Sequence, residues 1–198
     1  MTSAPQPAEH ASGGAAGSQR KQELLESTYE YVLHNGLAGL SLRPLAKAIG
    51  SSPRVLLFLF GTKDALVQAI LARAREDELA AVAELRDERE HGQLTTAAKK
   101  IWAWLVAPEH RSLLVLWAEG YTRSLQPAPG PWAGFARRTV DDWLDLLARY
   151  QPPGRTRTKT ADLQRTLLLA VLRGLLLDLL ATGDAERTTR AVQYFLAN

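Results

Sequence analysis

Residues 40–66 read LSLRPLAKAIGSSPRVLLFLFGTKDAL, and this stretch decides the fold of the N-terminal part of the chain. Its pattern predicts two short helices, over residues 42–49 and 53–59, with Ser41 and Ser52 as their N-caps. The turn between them contains a glycine, and the second helix begins with a proline, which is favoured at that position. Two short helices joined by such a turn are typical of a helix-turn-helix, which places its second helix in a DNA groove.

The charges around this motif favour contact with a polyanion. No Asp or Glu occurs between residues 31 and 63, and the basic side chains there are Arg43, Lys47, Arg54 and Lys63. Carboxylates in this place would repel phosphates, so their absence suits a DNA-facing surface. The net charge of the whole chain is only +3, and residues 18–63 supply it, with six Lys or Arg against three Glu. The alternative is an ordinary helical hairpin with a solvated basic face.

The composition, 198 residues with 46% apolar and 23% charged side chains, is typical of a soluble globular protein. Cysteine is absent, the four histidines are scattered, and no glycine-rich phosphate loop or G-x-S-x-G motif occurs. We therefore expect no catalytic residue, no metal site and no cofactor. Residues 1–19 do not form a secretory signal, and the apolar segment 167–181 is too short to span a membrane. We expect a cytoplasmic protein without a membrane partner.

Helical periodicity continues through the rest of the chain, and no segment has the pattern of a strand, so the predicted fold class is all-α. Residues 1–17, rich in Ala, Gly, Ser and Pro, are interpreted as a disordered arm. The helices are predicted at about residues 18–35, 42–49, 53–59, 62–90, 97–106, 111–125, 132–150, 160–181 and 185–196.

The segment from about Arg20 to Leu71 resembles the DNA-binding domain of the TetR (tetracycline-repressor) family of bacterial transcription regulators. The order and spacing of its motif residues carry the resemblance: Arg20-Lys21, Leu24, Leu25, Thr28, Tyr29, Val32, Gly36, Leu40-Ser41-Leu42, Leu45-Ala46, Ile49-Gly50, Ser52 and Phe60-Gly61-Thr62-Lys63-Asp64-Ala65-Leu66. The family's usual Tyr-x-His-Phe is replaced here, since Leu57 stands for the Tyr and Leu59 for the His. The family's tyrosine typically contacts a phosphate, and Leu57 cannot donate that hydrogen bond.

The resemblance implies a helix-turn-helix DNA-binding domain of three helices at residues 18–64. It also implies a C-terminal helical ligand-binding and dimerisation domain at residues 65–198. Each subunit is expected to place the helix 53–59 in a major groove of double-stranded DNA. The residues expected to contact DNA are Ser51, Ser52 and Arg54 at base edges, Ser41, Arg43, Thr62 and Lys63 at phosphates, and Pro53 and Leu57 on the same helix.

The predicted helix 160–181 is apolar on nearly all sides. A helix at the surface of a monomer shows a polar face, so one side of this helix is expected to need a further partner. In the resembled family the last two helices form a two-fold dimer through a four-helix bundle, so we expect a homodimer. Leu176 is assigned to the outward side. The alternative is a helix at the centre of a single domain.

All five tryptophans fall between residues 102 and 143, outside the DNA-binding segment. Six aromatic residues of this region are candidates for lining a small-molecule cavity: Trp102, Trp117, Tyr121, Trp132, Phe135 and Trp143. Glu119, Arg123 and Asp178 are the polar groups that could orient a ligand there. The alternative is that aromatic side chains at helical spacing are simply core, and the resemblance is what favours an effector pocket.

These observations together predict a homodimeric regulator of transcription, a repressor that acts on a palindromic operator and is released by a small-molecule effector. One alternative is a dimeric small-molecule-binding protein whose DNA binding is weakened or lost through Leu57 and Leu59. The other is a small helical enzyme, which the lack of any catalytic constellation disfavours.

Overall fold

The computed structural model describes residues 10–84, 94–152, 154, 156 and 158–197 of the chain. Regular structure within these ranges is entirely helical, which confirms the all-α fold class. The α-helices are α1 (His10–Asn35), α2 (Leu42–Ala48), α3 (Pro53–Phe60), α4 (Lys63–Glu84), α5 (Leu94–Val106), α6 (Arg111–Ser124), α7 (Phe135–Ala148), α8 (Lys159–Thr182) and α9 (Ala185–Ala197). Two single 3₁₀ turns, Pro108–His110 and Gly130–Trp132, precede α6 and α7.

The chain divides into two compact units, Met1–Ile70 and Leu71–Asn198, and the division falls inside α4. The boundary predicted from the sequence, between residues 64 and 65, lies near the start of the same helix. The assignment of DNA binding to one part and of ligand binding and dimerisation to the other stays a prediction.

The first helix begins earlier than the sequence indicates. α1 starts at His10, so it covers part of the predicted arm, whose residues 1–9 lie outside the described residues. A helix that is already nucleated gains one backbone hydrogen bond for each further residue, so it can extend through residues that lack an apolar pattern. The predicted end of the long fourth helix near residue 90, and the break at His91-Gly92, also lie outside the described residues.

Short-range signals fix α2 and α3. Ser52 caps α3 as predicted, because its hydroxyl accepts a hydrogen bond from the Val55 N–H at 3.2 Å. Ser41 occupies the N-cap position of α2, but its side chain makes no capping hydrogen bond, so that prediction is wrong in part. The reason is Pro44, which stands at the third helical position and has no N–H to donate. The turn runs through Gly50, whose φ of +62° is readily adopted by glycine.

The core of the first unit is built from one side of each helix. Its buried apolar residues include Leu24, Tyr29 and Val32 of α1, Leu45 and Ala46 of α2, Leu56 and Phe60 of α3, and Leu66, Val67 and Ile70 of α4. α2 and α3 pack on one another and both pack on α1, which holds the helix-turn-helix in one orientation within this unit. The opposite side of α3 is thereby left to solvent.

α8 is the central helix of the second unit, where it packs against α5, α6, α7 and α9. α7 begins later than predicted: the segment 130–132 forms a 3₁₀ turn, and Gly134, with φ of +72°, separates it from the helix that starts at Phe135. α8 is bounded by local signals. The Thr158 hydroxyl accepts from the Ala161 N–H at 3.2 Å, and Gly183 ends the helix in a left-handed conformation.

Within the described ranges, no single helix is long and apolar enough to cross a lipid bilayer.

Candidate nucleic-acid interface and effector cavity

The exposed side of α3 is mostly apolar and carries a single charge. Arg54 and Val55 are exposed, Leu57 is 40% exposed and Phe58 is 85% exposed, whereas Leu56 is buried. Leu57 therefore does not pack into the core of the three helices. The sequence reasoning omitted Phe58, although its place between two family positions in the motif could have indicated it. Together with Val55 and Leu57, Phe58 forms an exposed apolar patch on α3, and such patches are characteristic of contact surfaces.

The hydroxyl groups predicted to contact DNA differ in whether they already make a hydrogen bond within the protein. The hydroxyls of Ser52 and Thr62 cap α3 and α4, since each accepts a backbone N–H, from Val55 at 3.2 Å and from Ala65 at 3.0 Å. The Ser51 hydroxyl oxygen is buried and has no hydrogen-bond partner among the described residues. The hydroxyl of Ser41 makes no capping bond, and the residue is exposed. The structure thus leaves Ser41 more accessible to an incoming phosphate than Ser51.

The basic side chains of the motif, which include the predicted contacts Arg43, Arg54 and Lys63, all lie at the surface of the first unit. Arg43, Lys47, Arg54 and Lys63 are exposed. Lys63 is the first residue of α4 and Arg43 lies in the first turn of α2, so both stand near helix N-termini, where backbone N–H groups also favour an anion. Lys21 lies over the ring of Phe60 at 5.3 Å and brings α1 into this basic surface.

A small cavity of about 20 Å³ lies inside the second unit, next to the side chains of Trp117 and Trp143. Its lining is apolar apart from two side chains, Glu78 of α4 and Arg173 of α8. The remaining lining residues are Leu105, Leu169, Leu172 and Leu176. A volume of this size holds about one water molecule.

Glu78 is held in a buried polar network. Its carboxylate accepts the indole N–H of Trp143 at 2.8 Å and lies 3.7 Å from the guanidinium of Arg75. Arg75 also pairs with Asp142 and donates to the Thr139 hydroxyl at 3.1 Å. Burial raises the pKa of Glu78 above its ordinary value, because desolvation outweighs the hydrogen bond from Trp143 and the charges of Arg75 and Arg173, which all lower it.

Arg173 faces the same cavity and is only partly satisfied. Its guanidinium donates to the Tyr121 hydroxyl at 3.2 Å and lies over the rings of Tyr121 and Trp117, at 4.9 and 5.8 Å from their centroids. One of its terminal nitrogens, Nη2, is buried and has no hydrogen-bond partner among the described residues. The indole Nε1 of Trp117 is likewise buried and has no hydrogen-bond partner among the described residues. Burial lowers the pKa of Arg173 below its ordinary value.

The structure brings only some of the six predicted aromatic residues to this cavity. Trp117 and Trp143 line it, and Tyr121 contacts it through Arg173. The other three do not line it. Trp102 donates its indole N–H to the Thr189 hydroxyl at 2.9 Å, Trp132 lies under Arg123 at 5.2 Å, and Phe135 packs against Gly120.

The polar groups proposed from the sequence to orient a ligand do not line this cavity, and their role stays a prediction. Arg123 pairs with Glu119 one helical turn away at 3.1 Å, and Asp178 pairs with Arg187 at 2.7 Å. The charged residues at the cavity, Glu78 and Arg173, were missed. A signal for Arg173 was available, because it is the one positive charge in the leucine-rich stretch 167–181 of α8.

An exposed stripe of apolar and small residues runs along α8. Its members alternate at spacings of four and three residues, the spacing of a helix–helix seam. They are Leu163, Leu167, Ala170, Gly174, Leu177 and Ala181. Tyr194 of α9 is likewise exposed. The assignment of Leu176 to the outward side is wrong: Leu176 is 4% exposed and lines the cavity, whereas the next residue, Leu177, is 43% exposed.

No three His, Asp or Glu side chains of the described residues are grouped as metal ligands would be.

Comparison with known proteins gives consistent relatives. The chain is 30% identical over 179 residues to the HTH-type transcriptional repressor AcnR of Corynebacterium diphtheriae, covering 88% of each chain. Two crystal structures share the fold: a transcriptional regulator from Rhodococcus sp. Rha1 (TM-score 0.72, 21% identity, 89% of this chain and 94% of that one) and a putative TetR-family transcriptional regulator from Rhodococcus sp. (TM-score 0.71, 17% identity, 90% and 97%). The multidrug binding protein EbrR complexed with imidazole is also similar (TM-score 0.64, 25% identity, 89% of each chain). No family model matches the chain.

Proposed function

The chain belongs to the TetR family of transcriptional regulators, and from this membership we propose that it is a ligand-responsive repressor that binds a palindromic operator as a homodimer. The observation that carries the proposal is the surface of the first unit, where α3 presents an exposed side without any carboxylate between residues 31 and 63. The relative AcnR is described as a repressor, which supports that sign of regulation here.

In the proposed complex, α3 enters the major groove of double-stranded DNA. Arg54, in its first turn, donates hydrogen bonds to a base edge, for which guanine O6 and N7 are the preferred acceptors of arginine. The exposed rings and methyl groups of Val55, Leu57 and Phe58 meet the apolar parts of the groove. Arg43 and Lys63, with Ser41, hold the phosphates on either side and fix the register of the helix.

A second copy of the chain is proposed to cover the stripe on α8. Leu163, Leu167 and Leu177 would be removed from water at the interface, and the small side chains between them let the two helices approach closely. A two-fold dimer of this kind presents two recognition helices related by symmetry, which is why the operator is proposed to be palindromic.

The cavity in the second unit is the proposed effector site. Its polar residue Glu78 belongs to α4, and the first residue of the same helix is Lys63, a proposed phosphate contact. A ligand that displaces Glu78 therefore acts on the helix that also carries a DNA contact, and it shifts the population toward a state that binds the operator less well. The likeness to EbrR, a multidrug binding protein, supports a ligand-binding role for the second unit.

The alternative function is a dimeric small-molecule-binding protein with weak or lost DNA binding, and Leu57 favours it because the phosphate contact of the family's tyrosine is missing. A single experiment separates the two. DNA fragments bound by the full chain are selected from a random pool, and the enriched sequence is tested by fluorescence anisotropy with the native chain and with Arg54→Ala. A palindromic enriched sequence that Arg54→Ala binds more weakly supports an operator-binding regulator, whereas no enrichment supports the alternative.

A further inference from the structure

The chemistry of the cavity wall indicates which ligands the proposed effector site accepts. Two hydrogen-bond donors on this wall, Nε1 of Trp117 and Nη2 of Arg173, are buried and have no partner among the described residues. Trp117 is 5% exposed, so its N–H has no access to bulk water in this state. Buried donors are almost always paired in folded proteins, so these two donors are positioned for an acceptor, a water molecule or a ligand group, that the protein itself does not provide.

Glu78, the acidic side chain of the wall, does not accept a hydrogen bond from either of these two donors. The Glu78 carboxylate already accepts the indole N–H of Trp143 at 2.8 Å, and its charge faces Arg75 at 3.7 Å. Arg173, by contrast, hydrogen-bonds only a neutral group among the described residues, the Tyr121 hydroxyl. No carboxylate forms an ion pair with Arg173 within the described part of the chain. The cavity therefore presents a partly buried cation that no carboxylate contacts directly, so that only the longer-range attraction of Glu78 offsets the cost of its burial.

From these two observations we infer that the cavity takes an organic acid, a compact apolar molecule with one carboxylate. The inference rests on the proposed function, because it identifies the effector site with this cavity. The carboxylate would accept hydrogen bonds from the guanidinium of Arg173 and from the indole of Trp117, a geometry that charge-assisted bonds favour. The apolar body would lie against the leucines of α5 and α8 that form the rest of the lining.

The electrostatics agree with an anion rather than a cation. Burial lowers the pKa of Arg173, so the charged guanidinium is held at a cost that a neighbouring anion reduces. A cationic ligand would leave Nη2 of Arg173 without an acceptor and would add a second positive charge beside it.

The size of the cavity adds a mechanical consequence. At about 20 Å³ it holds roughly one water molecule, so an organic acid enters by displacing that volume and by separating the side chains around it. Glu78 and Leu172 lie on different helices, α4 and α8, so the entry of the ligand moves these helices apart within the second unit.

The test compares ligands that share one apolar body and differ only in the terminal group. Two sets are used on the full chain, phenylacetate and 4-phenylbutyrate, each with its matched amide and its matched amine. Binding is measured by isothermal titration calorimetry at neutral pH. At least one acid is expected to bind about tenfold or more tightly than its matched amine, because only the acid supplies the acceptor for Arg173.

Variants assign the effect to the two donors. Arg173→Gln is expected to weaken binding of the acid by about tenfold or more, and Trp117→Phe, which removes the second donor together with part of the ring, by a smaller factor. Arg137→Gln, which removes an exposed arginine of α7 paired with Asp141, is the matched control and is expected to bind the acid as the native chain does. If circular dichroism shows that Arg173→Gln is not folded, the affinity of Trp117→Phe for the acid is the measurement that tests the inference.

The inference is overturned if no acid of either set binds more tightly than its amine, or if Trp117→Phe binds the acid as tightly as the native chain. The same ligands are then added to the chain bound to its selected DNA. An acid that binds but does not release the DNA contradicts the proposed ligand response and leaves the inference intact. Release by an amine alone contradicts the inference and leaves the ligand response intact.

Discussion

The indole N–H of Trp143 donates a hydrogen bond to the carboxylate of Glu78 at 2.8 Å, between residues that lie 65 positions apart in the chain. This bond joins α7 to α4 inside the second unit, where Glu78 is 4% exposed. A carboxyl group in such a place is easier to hold neutral than ionised, and desolvation accordingly raises the pKa of Glu78. The stability of the second unit should therefore depend on the ionisation of this one side chain.

The first prediction is a pH dependence of stability that Glu78→Gln removes. Because the folded-state pKa of Glu78 is raised above its ordinary value of 4.5, the group contributes stability that is fully present below pH 4.5. That contribution is lost as the pH rises through the folded-state pKa. The glutamine keeps an acceptor for the Trp143 N–H but cannot ionise. Urea unfolding between pH 4 and pH 8 should show the native chain losing stability relative to Glu78→Gln as the pH rises.

The matched control for this experiment is Asp141→Asn, which alters an exposed carboxylate of α7. Its pH profile should run parallel to that of the native chain. A stability difference between the native chain and Glu78→Gln that stays constant across the whole range would contradict the role assigned to the buried carboxyl.

The sequence predicted the features that depend on neighbouring residues and missed those that depend on distant ones. α2 and α3 were placed to within a residue or two, because a glycine turn and a proline at the first helical position are local signals. The buried network of Glu78 with Trp143 joins residues far apart in the chain, and no local pattern encodes it. Leu176 was assigned to the wrong side because a helix apolar on nearly all sides has no periodicity from which its buried face can be read.

A second prediction concerns Leu57→Tyr. Leu57 is 40% exposed, so a tyrosine there should leave the free energy of unfolding within about 0.5 kcal/mol of the native value. If α3 docks as in relatives, the new hydroxyl donates to a phosphate and tightens operator binding by about 1 kcal/mol. The neighbouring substitution Leu56→Tyr is the control, because it overpacks a buried position and should cost about 1–3 kcal/mol of stability. Unchanged affinity of Leu57→Tyr for the operator would refute this docking of α3.

A third prediction is that Phe58 contacts thymine methyl groups. The operator is synthesised with deoxyuridine in place of thymidine at one position at a time, which removes a single methyl group. At the contacted position the native chain should lose about 0.8 kcal/mol of binding free energy, the value for one buried carbon. Phe58→Ala should bind the thymidine and deoxyuridine operators equally well there. Its melting temperature should not change, because Phe58 is 85% exposed. Equal sensitivity of both proteins to the methyl group would exclude Phe58 as its contact.

A fourth prediction separates the outward side of α8 from its buried side. Leu177→Glu should yield a folded monomer, because the glutamate is tolerated by solvent but not by a covered interface. Leu176→Glu should unfold the second unit, because it puts a charge against the cavity. Gly174→Trp is a third variant. Apart from the adjoining backbone of α8, no atom of the described chain lies within 4 Å of the position of its Cβ, so the single chain should accommodate the ring while a close helix pair cannot. Sedimentation equilibrium measures the oligomeric state of each variant, and circular dichroism measures whether the variant is folded. A dimer retained by Leu177→Glu and Gly174→Trp would place the interface elsewhere.

The last prediction contrasts two basic residues of the proposed DNA-binding surface, whose replacement by alanine should weaken DNA binding in different ways. Arg54 lies in the first turn of α3, where side chains reach base edges, so Arg54→Ala should cost about 1–3 kcal/mol on the selected operator. The loss should be much smaller on unrelated DNA, because the contact depends on the base. Lys63 begins α4 and is exposed, and it faces a phosphate in the proposed complex. Lys63→Ala should therefore weaken binding to all sequences alike and lower the slope of log Kd against log salt by about 1.

Both variants should melt as the native chain does, since neither side chain is buried. Fluorescence anisotropy at several salt concentrations, on the operator and on a scrambled duplex of equal length, yields both quantities. If Arg54→Ala weakens both duplexes equally, Arg54 holds the backbone and the sequence is read by the apolar side chains of α3 instead.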